Sequence, residues 1–423
     1  MNRRQFILAG VTMGVAGVLL KPENNGAPYA PYFNLLNESL KNQGNYLPSM
    51  LVDLDILDEN IKTLSTLMKG KIDYRIVAKS LPSPELLGYV MEKSATNKLM
   101  VFHQPFLTKI ANDYPKSDIL MGKPMPVKAA KSFYQLQPTN SSFKSDKQLQ
   151  WLIDSEERLK QYLDLAISEE QRLQINIEID IGLHRGGLQN TQELDVLLNI
   201  IEDNPAYLKF SGFMGYDPHV VKIPSIVKST EEAYLESQEI YQRFITHLYN
   251  VYPHYKEQVL CFNGAGSPTL ALHVKSTVAN EVSAGSCLVK PIDFDIPSLS
   301  KFKAAAFIAT PVLKKMKGTT LPAAEFAQNI LPMWDSNMEQ TFFIYGGKWL
   351  AKYESPNGLQ DNGLFGSSTN QAIVNGSNRV NIDVDDHVFL RPMQSEFVFL
   401  QFGSLLTLRN YKISNQWPIL QQS

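Results

Sequence analysis

The stretch Tyr74-Arg75-Ile76-Val77-Ala78-Lys79, with Ser80-Leu81-Pro82 after it and Pro84-Glu85 next, sets the reading of the whole chain. An apolar run of strand length leads through a turn into a helix start, where Pro and an acidic residue both suit the first turn. Working outward, the same alternation recurs. Further strand candidates are Met50 to Asp53, Leu99 to Phe102, Ile119 to Met121, Trp151 to Ile153, Ile175 to Asp180, Phe210 to Tyr216 and Val259 to Phe262. Between them, Leu57 to Met68 and Glu156 to Ile167 carry apolar residues at helical spacing, and Asp154-Ser155-Glu156-Glu157 is a helix entry signal. Eight strand–helix units in about 250 residues predict an α/β fold, a closed (β/α)8 TIM-type barrel. An open doubly wound sheet is the other option, but no Gly-rich dinucleotide turn follows the first strand.

From about Pro311 the pattern changes. Turn residues cluster at Ser355-Pro356-Asn357-Gly358 and Asn362-Gly363, and strand-like pieces follow at Phe342 to Tyr345, Val388 to Leu390, Phe397 to Leu400 and Leu405 to Leu408. These predict a C-terminal all-β domain. The expected layout is a signal at 1–25, a Gly/Pro/Asn-rich linker at 26–45, the barrel at 46–305 and the β-domain at 306–423.

Composition bounds the function. The 423 residues are 44% hydrophobic and 19% charged, with a net charge of -2, so the chain is globular and carries no basic footprint for nucleic acid. Two cysteines, Cys261 and Cys287, exclude a disulfide framework but do not say whether they pair. At the N-terminus, Arg3-Arg4-Gln5-Phe6 precedes the apolar run Ile7 to Leu20. This resembles a twin-arginine export signal and implies export machinery as a partner and a periplasmic or otherwise exported location; an uncleaved membrane anchor is the alternative.

A barrel of this kind works at the C-terminal ends of its strands, which makes the residues there candidates. Lys79 closes one strand, where a costly buried amine suits a Schiff base. Asp180 to Gly187 offers Gly182, Gly186 and Gly187 for a tight turn and Arg185 for an anionic or phenolic oxygen, while His184 reads as packed or solvated. Tyr216 can lie against an aromatic ring, and His219 is an acid/base candidate. Gly264-Ala265-Gly266-Ser267-Pro268-Thr269 runs into a helix start, so backbone N–H groups with the Ser267 and Thr269 hydroxyls can cradle a phosphate. A phosphorylated aldehyde cofactor, pyridoxal 5′-phosphate, uses all of these together.

With those pieces assembled, the chain resembles the fold-type III pyridoxal-phosphate enzymes, the alanine racemase and D-threonine aldolase/D-serine dehydratase group. Leu51 to Asp55 with Asn60, Ala78-Lys79, Asp180 to Gly187, Gly212 to His219, Gly264 to Thr269 and Asn280 to Ser286 carry the resemblance, which spans 45–420. It implies that Lys79 binds the cofactor, Arg185 contacts its phenolic oxygen, Tyr216 lies by the pyridine ring, and Gly264, Gly266, Ser267 and Thr269 surround the phosphate. It implies a small amino acid as substrate and a possible homodimer. The lyase branch of the family carries a His-x-Cys metal pair after a proline. Here Pro392-Met393-Gln394-Ser395-Glu396 stands in that place. Gln394 and Glu396 make a zinc site improbable on ligand chemistry; they leave a harder divalent metal open, or Glu396 as a direct acid or base, with His387 a nearby further candidate. The expected activity is a lyase acting on a small D- or β-hydroxy-amino acid, by aldol cleavage or dehydration; a racemase and a non-catalytic pyridoxal-phosphate carrier are the alternatives.

Overall fold

The computed structural model describes residues 21–422 apart from Thr139, Ala265, Leu321, Ala324 and Phe326, so the paired arginines and apolar run of the expected signal lie outside the described residues. The chain forms two compact units. One is built from the chain up to Asp53, Ala306–Gln394 and Leu405–Gln416; the other from Leu54–Ala305, Ser395–Ser404 and the chain from Trp417 onward.

The first strand, β1 (Ser49–Asp53), corrects the reading of the barrel. It pairs antiparallel with one strand and parallel with another from the far end of the chain, so it is not a barrel strand. All five of its residues are buried. A short apolar run buried on both faces looks the same in a mixed sheet as in a parallel barrel, and periodicity cannot separate the two. The barrel instead runs β2 (Asp73–Val77), β3 (Lys98–Val101), β4 (Asp118–Met121), β5 (Leu149–Ile153), β6 (Leu173–Glu178), β7 (Leu208–Met214), β8 (Cys261–Gly264) and β9 (Glu281–Ala284). These eight strands are parallel, and β9 closes onto β2 with Asp73 opposite Glu281. The strand Glu281-Val282-Ser283-Ala284 escapes a hydrophobic scan because two of its four residues are polar. Lys79 therefore follows the first barrel strand rather than the second. The glycine-rich phosphate-loop candidate follows the seventh rather than the eighth.

Helices cover the barrel for ordinary reasons. Leu54–Met68 buries Leu57, Ile61, Leu64 and Met68, one face of a 3.6-residue repeat, each contributing about 1.5–3 kcal/mol when fully buried. Ser83 caps the helix Pro84–Ser94 by accepting from the Leu86 N–H, and Ser155 does the same for Glu156–Ser168 through Arg158. Trp151 of β5 packs edge-on against Phe133 and Tyr162 of flanking helices and donates its indole N–H to the Tyr134 hydroxyl at 2.8 Å. The strands also carry unusual polarity. Arg75, Asn176, Asn263, Glu281 and Ser283 are all buried, where aliphatic layers are the rule. They are held by bonds between strands, such as Asn263 Nδ2 to Glu281 Oε1 at 2.7 Å and Asn176 Nδ2 to Gln150 Oε1 at 3.1 Å.

The other unit is a β-domain, as expected, with β1 at its centre. The remaining strands are β10 (Ala306–Lys317), β11 (Gln340–Tyr345), β12 (Ala351–Ser355), β13 (Gln360–Asp361), β14 (Gln371–Gly376), β15 (His387–Pro392), β16 (Ser404–Arg409) and β17 (Lys412–Pro418). The path is β13-β14-β11-β10-β1-β16-β17, with β15 joining β10 to β12. The linker expected at 26–45 holds a helix, Pro31–Asn42, because Phe33, Leu36 and Leu40 give it an apolar stripe that the surrounding Asn and Pro disguise. Phe397 to Leu400 is not a strand: Ser395–Phe399 forms a short helix, and Ser395–Ser404 returns to the barrel unit, so 306–423 is not one domain. Both cysteines are free.

Candidate active site at the C-terminal mouth of the barrel

A cleft opens where the barrel strands end, with about 650 Å3 of empty space when its solvent-open mouth is included. It gathers Lys79, Arg185, Tyr216, Gly266, Ser267 and Glu396 from the sequence reading. Lys79 sits in the single turn Ala78–Ser80 that follows β2. Its Nζ lies 2.8 Å from Glu396 Oε1 and 4.6 Å from the centre of the Phe102 ring. The apolar ring on one side and the carboxylate on the other set the position of the amine at the cleft, where it stays partly exposed.

Arg185 is presented by a built turn. Asp180 Oδ1 accepts the N–H groups of Gly182 and His184, both at 3.0 Å, and its other oxygen meets His184 Nδ1 at 2.8 Å. Burial alone would raise the Asp180 carboxyl, but these bonds outweigh it and lower its pKa. His184 thus serves the turn. Gly187, at φ +91°, lies where a Cβ would come within 2.7 Å of the Ile179 carbonyl carbon, so the loop closes tightly onto its own strand. The Arg185 guanidinium stacks 5.0 Å from the Tyr216 ring centre. Tyr216 in turn packs on Gly266, where an added Cβ would meet its ring at 2.9 Å. Burial is the main cause that raises the Tyr216 hydroxyl pKa, opposed by Arg185.

The phosphate-cradle candidates divide. Ser267 lines the cleft, and its Oγ accepts the N–H groups of Gly285 and Cys287 at 3.3 and 3.1 Å. Burial pushes the neighbouring Cys287 thiol up to about 11, opposed by a hydrogen bond from this same Ser267 hydroxyl, which a ligand in the cleft would compete for. Ser80 and Ser286, which the reading did not assign, also line the cleft with their hydroxyl oxygens 2.9 Å apart, so one hydrogen links them and another is left for a ligand. Thr269 does not line the cleft. Its hydroxyl donates to Asp217 at 2.6 Å and accepts from the Gly266 N–H at 3.3 Å, while His273 Nε2 holds the other Asp217 oxygen at 2.8 Å. Thr269 therefore braces the loop from behind. Gly264 also lies off the cleft, facing His273 and Ala279.

The remaining candidates are elsewhere. His219 is not on the lining: its Nε2 meets the Ser237 hydroxyl at 3.2 Å, and desolvation lowers its pKa. His387 is buried in the β-domain, with Nε2 at 3.0 Å from the Asn45 carbonyl, and desolvation lowers its pKa as well. Gln394 ends a segment of the β-domain unit, whereas Glu396 belongs to the barrel unit. Among the described residues no group of three or more His, Cys, Asp or Glu side chains could hold a metal. Glu178 was overlooked because it is one polar residue in an apolar strand. At the end of β6, burial first and Asp154 next push its carboxyl up to about 7, against the pull of Arg185.

The donor set fits pyridoxal phosphate. An amine answers the aldehyde, hydroxyl donors at Ser267 and the Ser80–Ser286 pair answer the phosphate, and a guanidinium stacked on an aromatic ring answers the phenolic oxygen. Comparison with known proteins agrees. The alanine racemase N-terminal domain family model matches residues 52–291. No curated protein matches the sequence significantly. Among solved structures, a D-threonine aldolase from Filomicrobium marinum superposes with a TM-score of 0.69 at 15% identity, covering 89% of this chain and 95% of its own. An alanine racemase from Bacillus anthracis with bound L-Ala-P gives 0.65 at 12% identity, covering 88% and 98%. A D-threo-3-hydroxyaspartate dehydratase from Delftia sp. HT23 gives 0.63 at 14%, covering 94% and 99%. The chain belongs to the alanine racemase N-terminal domain family, among the fold-type III pyridoxal-phosphate enzymes.

Proposed function

We propose that the protein is a pyridoxal-phosphate-dependent lyase acting on a small D- or β-hydroxy-amino acid. The observation that carries this reading is the 2.8 Å approach of Glu396 Oε1 to Lys79 Nζ within the cleft. Two proton-transfer groups that close act on neighbouring atoms of one substrate, here the α-carbon and the β-oxygen. Racemisation calls for groups on opposite faces of the α-carbon, so the pairing favours the lyase.

When bound, pyridoxal phosphate supplies an aldehyde that condenses with amines and a ring that accepts the electron pair of a bond at the α-carbon. Lys79 is the amine that holds it. The Lys79 amine would also be placed to carry a proton to or from the α-carbon of an amino acid in the cleft. Glu396 stands to take the β-hydroxyl proton in aldol cleavage, or to return one to the departing oxygen in dehydration. Arg185, stacked on Tyr216, would hold the ring's phenolic oxygen, and Ser267 would hold the phosphate. Glu396 stands in the sequence where the lyase branch carries the Cys of its His-x-Cys pair. Export through the N-terminal arginine signal is part of the same proposal.

The test is a product assay on a panel of D- and L-β-hydroxy amino acids, after rigorous chelation. Aldehyde or keto-acid formation that survives chelation and is lost in Glu396→Gln supports the reading. Inversion of configuration at the α-carbon without bond cleavage overturns it in favour of a racemase.

A further inference from the structure

The opposite end of the barrel holds a second chamber, with about 1470 Å3 of empty space when its open mouth is included. Its wall divides by charge. On one side Asp73, Asp118 and Glu281 are all engaged. Glu281 takes Arg75 at 2.5 Å and Lys98 at 2.9 Å, Asp73 takes Lys98 at 2.7 Å, and Asp118 stands 3.0 Å from Arg75. Around the same chamber Lys71, Lys147 and Lys209 meet no carboxylate among the described residues, although all three line it. Each cation of this set is exposed, so none is held by packing.

A second observation comes from inside. Ser211 of β7 lines the chamber, is 6% exposed, and has an Oγ with no hydrogen-bond partner. A buried hydroxyl left unmatched costs about 1–3 kcal/mol unless something in the chamber bonds to it. Gln150 also lines the wall; its Oε1 is occupied by Asn176, which leaves its amide N–H groups for a ligand. Uncompensated cations at the rim and neutral donors within are the chemistry that binds clustered anionic oxygens.

We propose that this chamber is a second binding site, for a small polyanion bearing phosphate or clustered carboxylate groups. The site stands apart from the cleft and does not depend on the reaction assigned there. The test uses the protein loaded with pyridoxal phosphate and freed of excess by gel filtration, so that the Ser267 donors are already engaged. Inorganic pyrophosphate and citrate are titrated separately by calorimetry, at low and high salt. Saturable binding is expected, weakening as salt rises. Lys147→Gln with Lys209→Gln weakens it at least about tenfold, and Ser211→Ala by a smaller factor, with the cofactor absorbance unchanged. Binding of pyrophosphate alone assigns a phosphate ligand; binding of citrate alone assigns a carboxylate. No saturable binding of either, or binding that the double substitution leaves unchanged, overturns the proposal. The lysines are exposed, so the double variant keeps the parent melting temperature and loss of fold does not confuse the result.

Discussion

The two ends of the barrel use ionisable side chains in opposite ways. At the N-terminal end, Arg75 and Glu281 are almost fully buried and locked to each other. At the C-terminal mouth, Lys79 and Glu396 form an equally direct pair, but their side chains are 37% and 36% exposed. The buried pair is buttressed on both sides, by Lys98 on Glu281 and Asp118 on Arg75, so neither charge is released without breaking a network. The mouth pair can be opened at little cost, because water already reaches both groups. Glu281 links the two regimes: it also accepts from Asn263, which lines the cleft together with Ser283. Around one barrel, burial decides whether a charge serves the fold or stands available for chemistry.

The largest effect belongs to Lys79→Ala, which should lower turnover by about a thousandfold or more with the far-UV circular dichroism unchanged. Next comes Glu281→Gln, which strips the buried Arg75 of its buried carboxylate and leaves it only the part-exposed Asp118; it should cost about 3 kcal/mol of unfolding free energy, read by denaturant titration, with cofactor absorbance retained at low denaturant. The pH dependence follows. Burial alone would raise the Glu281 carboxyl, but Arg75 and Lys98 more than offset it and hold it at about 2. A folded pKa below the unfolded value of about 4.3 means a contribution present above that value and lost as pH falls toward 2. The variant should lose part of the acid sensitivity of the parent.

Ser267→Ala strands the N–H groups of Gly285 and Cys287 and removes a donor to the cleft. It should weaken cofactor affinity about tenfold, read by equilibrium titration of the absorbance. The smallest effect is expected at Glu178, whose carboxyl is raised to about 7. Because the folded pKa lies above the unfolded one, its contribution is full below the unfolded pKa of about 4.3 and is lost as pH rises through 7. Glu178→Gln should therefore show a melting temperature that falls less than the parent's between about pH 5 and 8. An unchanged slope would place the group outside this account.

Much of the barrel was legible because strand and helix periods alternate so regularly, and Lys79, Arg185, Tyr216 and Ser267 fell at strand ends where chemistry belongs. Four failures have physical causes. Met50 to Asp53 is buried on both faces, and such a run carries no mark of which sheet will bury it. Glu281 to Ala284 closes the barrel with a strand whose polar residues are satisfied by Arg75 and Asn263, partners far away in sequence. Thr269 was placed on the phosphate by its neighbours in sequence, but Asp217, fifty-two positions earlier, claims its hydroxyl. Ser80 and Ser286 escaped for the same reason: their pairing across the cleft exists only once the barrel has closed.

The central claim is that Lys79 holds pyridoxal phosphate at the mouth of this barrel. Borohydride reduction of the cofactor-loaded protein, followed by peptide mapping by mass spectrometry, tests it directly. The account predicts a single pyridoxyl-phosphate adduct on the peptide that contains Lys79. An adduct on another lysine, or a loaded protein that yields no adduct, would contradict it.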